Sequence, residues 1–134
     1  MSTVLATGTS ATNSYTYTVP AGVYAQISWV HVGYTSSATV GNRQIRLAIL
    51  TPADVSIFDT HAGAVQAASI GRHYLFMQGI YRETSFIDEE IQVSIPIDVV
   101  IPSGYKLMVA DNANISATDS MTISLQYRDV ANRE

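Results

Sequence analysis

Cysteine is absent from the 134 residues and charge is scarce, with seven Lys and Arg and eleven Asp and Glu making up 13% of the chain, about half the usual share. Without cysteine there are no disulfides, no thiolate metal centre and no thiol nucleophile, so the fold must stand on packing and hydrogen bonds. The cations (Arg43, Arg46, Arg72, Arg82, Lys106, Arg128 and Arg133) stand singly, and the net charge is -4. A run able to neutralise successive phosphates is missing, which argues against nucleic acid as a partner. No stretch approaches the roughly 18 consecutive apolar residues of a membrane span, and the opening MSTVLATGTSATN has neither the positive start nor the apolar run of a signal peptide. The expectation is a soluble chain, made in a cytoplasm, with no membrane partner.

What is present is a 47% hydrophobic fraction, enough in a chain of this length for one domain that buries roughly two-thirds of its unfolded surface. The remaining surface is neutral and rich in Ser, Thr, Asn and Gln. Low surface charge weakens the repulsion between copies, so part of this surface is suited to covering by other subunits.

The period of the apolar residues is two almost throughout. Residues 1–13 are nearly all Ser, Thr, Ala, Gly and Asn and read as a flexible N-terminal arm, with Val4 and Leu5 as docking residues. Tyr15, Tyr17 and Val19 then alternate with Ser14, Thr16 and Thr18 in the pattern of a half-buried strand. Pro20-Ala21-Gly22 suits a type II turn with Pro20 in second position. In the next strand, 23–34, Val23, Ala25, Ile27 and Trp29 share one face before Val30, Val32 and Tyr34 take over on the opposite parity. That phase change predicts a β-bulge or a corner near Trp29 and Val30.

RQIRLAIL points Ile45, Leu47 and Ile49 inward. VSIF at 55–58 reads as a short strand, HAGAVQAASIG as a long loop with room for a short helix, and HYLFMQ as a strand covered on both faces. Ile91, Val93, Ile95, Ile97, Val99 and Ile101 fall on alternate positions, a run that Pro96 should divide or confine to a sheet edge. Ile101-Pro102-Ser103-Gly104 repeats the earlier turn, Tyr105, Leu107 and Val109 form the next inner face, and Met121, Ile123, Leu125 and Tyr127 alternate cleanly in the last strand. The fold class is therefore all-β: a single-domain eight-stranded β-sandwich over residues 14–130, as a jelly roll in preference to an immunoglobulin-like domain, with a polar C-terminal tail at 131–134.

Each candidate for chemistry has a plain structural alternative. Asp59 and His61 have the spacing of a metal or base pair, but only His31 and His73 could add imidazoles, and both lie in strand patterns. Asp88, Glu89 and Glu90, with Glu83, could do paired-carboxylate work, yet adjacent carboxylates before a strand are commonly a solvated loop. DNANISATD offers Asp111, Asn112, Asn114 and Asp119 as oxygen donors but lacks the glycine and glutamate of an EF-hand loop, and it reads instead as an exposed hairpin tip with Asx turns and a contact surface. Serine has no nucleophile elbow and no convincing base. The reading assigns no catalytic, cofactor-binding or metal residue and no cofactor.

YTYTVPAG at 15–22, SATVGNRQIRLAIL at 37–50, AGAVQAAS at 62–69 and IPSGYKLMVADNANISATDSMTISLQY at 101–127 together resemble small virion proteins of tailed bacteriophages. The resemblance implies a capsid decoration, or cement, protein: a homotrimer on the exterior of the head, bound to the major capsid protein. Val4, Leu5, Asp111, Asn112, Asn114 and Asp119 are the expected contact residues. The alternative is a tail- or fibre-associated module that binds a receptor or carbohydrate through its eight tyrosines and one tryptophan.

Overall fold

The computed structural model describes residues 2–131, and all regular structure within them is β. There are ten strands: β1 (Ser2–Ser10), β2 (Ser14–Thr18), β3 (Ala25–Thr35), β4 (Ile45–Leu50), β5 (Ser56–His61), β6 (Gly71–Met77), β7 (Glu90–Ser94), β8 (Val100–Ile101), β9 (Lys106–Asp111) and β10 (Ser120–Asp129). One sheet runs β1-β10-β3-β6-β7, with β8 also on β3, and the other runs β2-β9-β4-β5. Apart from β7 and β8, the antiparallel pairing is nested, with β1 on β10, β2 on β9, β3 on β6 and β4 on β5. Strand β7 lies parallel to β6.

The count is ten rather than the expected eight. One added strand is β1: Ser2–Ser10 is no free arm but pairs along its whole length with β10, from Ser2 opposite Asp129 to Ser10 opposite Met121. Its small residues have a packing reason. Tyr15 lies against Gly8 so closely that any Cβ there would collide with the ring, while Val4 and Ala6 pack on the core and Leu5 points out, 63% exposed. The other addition comes from the isoleucine run, which Pro96 does divide, into β7 and β8. Ile91, Val93 and Ile101 are buried as the alternation requires, but Ile97 is exposed in the connection. The 62–70 segment contains no helix and meets Arg43 through a bridge at Gln66. Of the expected tail at 131–134, only Ala131 lies within the described residues.

Both sheets contribute to one buried cluster. Val30, Val32, Tyr74, Phe76, Ile123 and Leu125 come from the first, and Ile45, Leu47, Leu107 and Val109 from the second. Each such side chain gives roughly 1.5–3 kcal/mol on burial, which is how a chain without disulfides holds together. The phenols of Tyr17 and Tyr127 hydrogen-bond at 2.8 Å between the sheets. Burial, then that bond, pushes the Tyr17 pKa above its ordinary value.

The two Pro-x-Gly turns carry the chain between sheets, from β2 to β3 and from β8 to β9. Val23 N–H donates to Pro20 O and Tyr105 N–H to Pro102 O, each at 3.1 Å. Proline is thus first, not second, and Gly22 (φ 79°) and Gly104 (φ 83°) supply the positive φ that the third position of a type II turn demands. The turns also bind each other: Val19 N–H donates to Tyr105 O at 2.9 Å, Gly104 N–H to Val19 O at 3.0 Å, and Ser103 Oγ to Pro20 O at 3.0 Å. The repeated motif is one corner built from two matching turns.

Candidate functional site

Of the six expected contact residues, the structure exposes some and buries others. Leu5, Asn112 and Asn114 are exposed, and Val4 is half-buried against the core. Asp111 and Asp119 are buried, and the segment between them is not a hairpin tip, because β9 and β10 belong to different sheets. Asp111 is consumed locally: Oδ1 accepts the N–H groups of Gln44 and Ala113 at 2.9 Å, and Oδ2 accepts that of Ile115 at 2.8 Å. Asn114 takes a positive φ of 51° and accepts a bond from Asn13 Nδ2 at 2.9 Å. These are the Asx-type contacts that shape an inter-sheet crossing.

Asp119 anchors a buried cluster that sequence reasoning missed. Arg43 and Asp119 are both inaccessible to solvent. The Arg43 Nε donates to Asp119 Oδ2 at 2.9 Å and Nη2 to Oδ1 at 3.0 Å, a bidentate pair. Nη1 donates to the carbonyls of Thr39 and Gly41, and Nη2 also reaches Ser37 Oγ at 3.2 Å. Tyr34 O–H and the Ser37 amide each donate to Asp119 at 2.8 Å. Burial alone would raise the Asp119 pKa, but the bonds from Arg43, Ser37 and Tyr34 prevail and hold it at about 2.

Next to this cluster, Gln66 accepts from Tyr74 O–H at 2.8 Å and donates to the carbonyls of Tyr34 at 2.9 Å and Ile70 at 3.0 Å. The groups that could have done chemistry thus pin the 36–43 and 62–70 loops to the sheets. No local signal marks Arg43 as buried, since its partner lies 76 residues away.

Several of the other polar candidates are also paired. Arg46 reaches Asp59 at 3.4 Å, and His61, at the end of β5 rather than in a loop, takes a 3.0 Å contact from Arg82 Nη2 at Nδ1. Glu83 accepts the Gln92 amide at 2.7 Å, and Glu89 lies 3.9 Å from Arg72. Among the described residues there is no group of three or more His, Cys, Asp or Glu able to hold a metal ion.

What the fold does assemble is the outer face of the first sheet. The β3 phase change occurs at Ser28, which has no partner where the register shifts between Gln126 and Tyr127. The break lies one residue earlier than the sequence predicts, so Trp29 turns outward instead of into the core. Its Nε1–H donates to Gln126 Oε1 at 2.9 Å. The register aligns Leu5, Gln126, Trp29, Met77 and Ser94 in one row across the sheet, and Thr7, Ser124, His31, Leu75 and Gln92 in the next. Trp29, His31, Leu75, Met77 and Ser124 line an open hollow of about 430 Å³. Beside it His31 and His73 stack with centroids 5.3 Å apart. Partial burial first, and the neighbouring imidazole second, lower the His31 pKa, against the opposing pull of Glu90.

No protein-family model and no curated protein matches the chain. Among solved structures, a chain of infectious bursal disease virus, Gx strain, is similar at 13% identity and a TM-score of 0.37, over 97% of this chain and 33% of that one. The VP2 subviral particle of the same virus gives 10% identity and 0.33, over 97% and 34%. A Bacillus endospore appendage, described as one of a family of disulfide-linked pili, gives 8% and 0.32, over 95% and 90%. This chain spans about a third of the length of the viral chains. With TM-scores below 0.5, these likenesses assign neither a family nor a function.

Proposed function

We propose that this chain is a non-catalytic structural virion protein of a tailed bacteriophage. It decorates and stabilises the head by binding the outer surface of the major capsid protein lattice as a homo-oligomer, a trimer on the sequence resemblance. The observation that carries the reading is the outer face of the six-stranded sheet, where Trp29, Leu75 and Met77 gather on the side away from the core and Leu5 ends the Trp29 row. Meanwhile the Arg43, Asp59, Asp111 and Asp119 side chains are spent on intramolecular contacts. An aromatic anchor amid aliphatic and polar neighbours is the usual composition of an interface centre. The nested pairing of eight of the strands supports a jelly-roll reading of the fold, an architecture used by viral capsid domains and also by lectins. On a lattice, many weak copies of one contact add up through multivalency.

The test is to add purified chain to heads that lack it. Co-sedimentation should saturate at a fixed copy number per capsid subunit, and Trp29→Ala should weaken it by about tenfold or more with the melting transition still cooperative. Wild-type chain that stays in the supernatant would remove the decoration reading. The carbohydrate-binding alternative is favoured by the same outward turn of Trp29, which offers a ring for stacking on a sugar. Specific retention on immobilised glycans, lost in Trp29→Ala, would select it.

A further inference from the structure

The first charged residue in the chain is Arg43, so β1 and β2, the strands that end the two sheets on one side, contain no acidic or basic residue. The opposite ends of the sheets differ. Strand β5 carries Asp59, and β7 begins at Glu90 beside Asp88 and Glu89. An edge strand presents unpaired N–H and C=O groups, and proteins blunt such edges with charge, proline, bulges or short length. Strand β1 has none of these devices. It is nine residues long, holds neither proline nor charge, and among the described residues pairs on one side only, in unbroken register with β10.

We infer that β1 is a seam at which a second copy of this chain adds its own β1 antiparallel, joining two six-stranded sheets into one. The occupant follows from charge. A twofold contact sets a strand against itself, so any charge near its centre meets its own like; β1 passes that condition, whereas β5, with Asp59 next to its centre, does not. Full overlap of Ser2–Ser10 centres the axis on Ala6 and sets Leu5 opposite Thr7 and Thr3 opposite Thr9. These four residues share the outer face in the register with β10, so both copies keep their Val4 and Ala6 on the core side. The inference stands apart from the virion reading, since it needs only a second copy.

The absence of native cysteine makes the test clean. Directly opposed residues in an antiparallel pair have Cα atoms about 4.5–5.5 Å apart, within disulfide range. Ala6 opposite Ala6 and Leu5 opposite Thr7 fall in alternate classes of pair, so one of the two has the closer spacing. Under mild oxidation, either Ala6→Cys alone or a mixture of Leu5→Cys and Thr7→Cys chains should link into dimers, whereas Val40→Cys, 90% exposed and far from the seam in sequence, should not. Sedimentation of the uncrosslinked wild type should give an even number of copies, a hexamer where the seam pairs two of the proposed trimers, and Leu5→Lys should weaken self-association by about tenfold. A monomer, an odd assembly such as a lone trimer, or equal crosslinking at Val40→Cys would overturn the seam. A lone trimer that still coats heads would do so while leaving the decoration reading intact.

Discussion

Replacing Arg43 with methionine is expected to cost about 3–5 kcal/mol, a fall on the order of 10 °C in melting temperature, the largest effect of any substitution considered. The variant leaves the Asp119 carboxylate inaccessible to solvent with two donors, Tyr34 and the Ser37 amide, but without its counter-charge. It also frees the Thr39 and Gly41 carbonyls that the guanidinium ties down. The double variant Arg43→Met, Asp119→Leu removes both charges and should be clearly more stable than the single variant, because an uncompensated buried charge costs more than a missing pair. Urea denaturation of the three proteins at pH 7 measures the difference; a double variant no better than the single one would show that the ion pair is not the main term.

The same set has a signature in acid. The folded pKa of Asp119, about 2, lies below its ordinary 3.8. The folded state therefore binds this proton less readily than the unfolded state. The resulting stability is present above about pH 4 and drains away as pH falls from there towards 2. In Arg43→Met the sign reverses: burial is then opposed by fewer bonds, the carboxyl pKa rises, and protonation relieves the buried charge. The gap between wild type and Arg43→Met should narrow between pH 7 and pH 3.

Gly63→Ala is expected to be the second most damaging change, at about 1–3 kcal/mol or more. A Cβ there would collide with the Glu83 carbonyl oxygen and lie 3.2 Å from both Glu83 C and Thr84 Cα. Backbone on both sides must move, and the adjacent Ala62 is held by the hydrogen bond that its N–H donates to Ile45 O at 2.9 Å. Gly71→Ala serves as the control, because its nearest contact would be Thr35 Oγ1 at an ordinary 3.9 Å, and it should change the melting temperature by only a few degrees. Equal losses at the two positions would mean that loss of glycine, rather than the close approach of the 62–63 and 83–84 segments, is responsible.

How far the sequence reveals this fold depends on whether a residue's environment is set nearby or far along the chain. Met121, Ile123, Leu125 and Tyr127 are all buried as their alternation requires, because a strand with one face on a core encodes that face locally. The phase change in β3 is legible for the same reason, and only its position, Ser28 against Trp29, depends on the β10 register. Strand β1 is hidden because its inner face answers to Tyr15 and its partner strand begins at Ser120. Small polar residues at such a contact look like those of a free arm. Asp119 reads as a surface loop residue for want of any sign that Arg43 will meet it, and the outward face of Trp29 appears only once the bulge is placed. The contact residues chosen from polarity alone are thus divided between surface and interior, while the outward-facing row of Leu5, Trp29 and Met77 follows from register.

Under the proposed function this chain is a head-coating assembly protein. Electron cryomicroscopy of purified particles that contain it tests this most directly. Density for the two-sheet domain is expected at symmetry-related positions across the outside of the head, in many copies, with the Trp29 face of the six-stranded sheet against a neighbouring subunit. Density confined to a tail tip or fibre in a few copies, or a head surface bare of this chain, would contradict it.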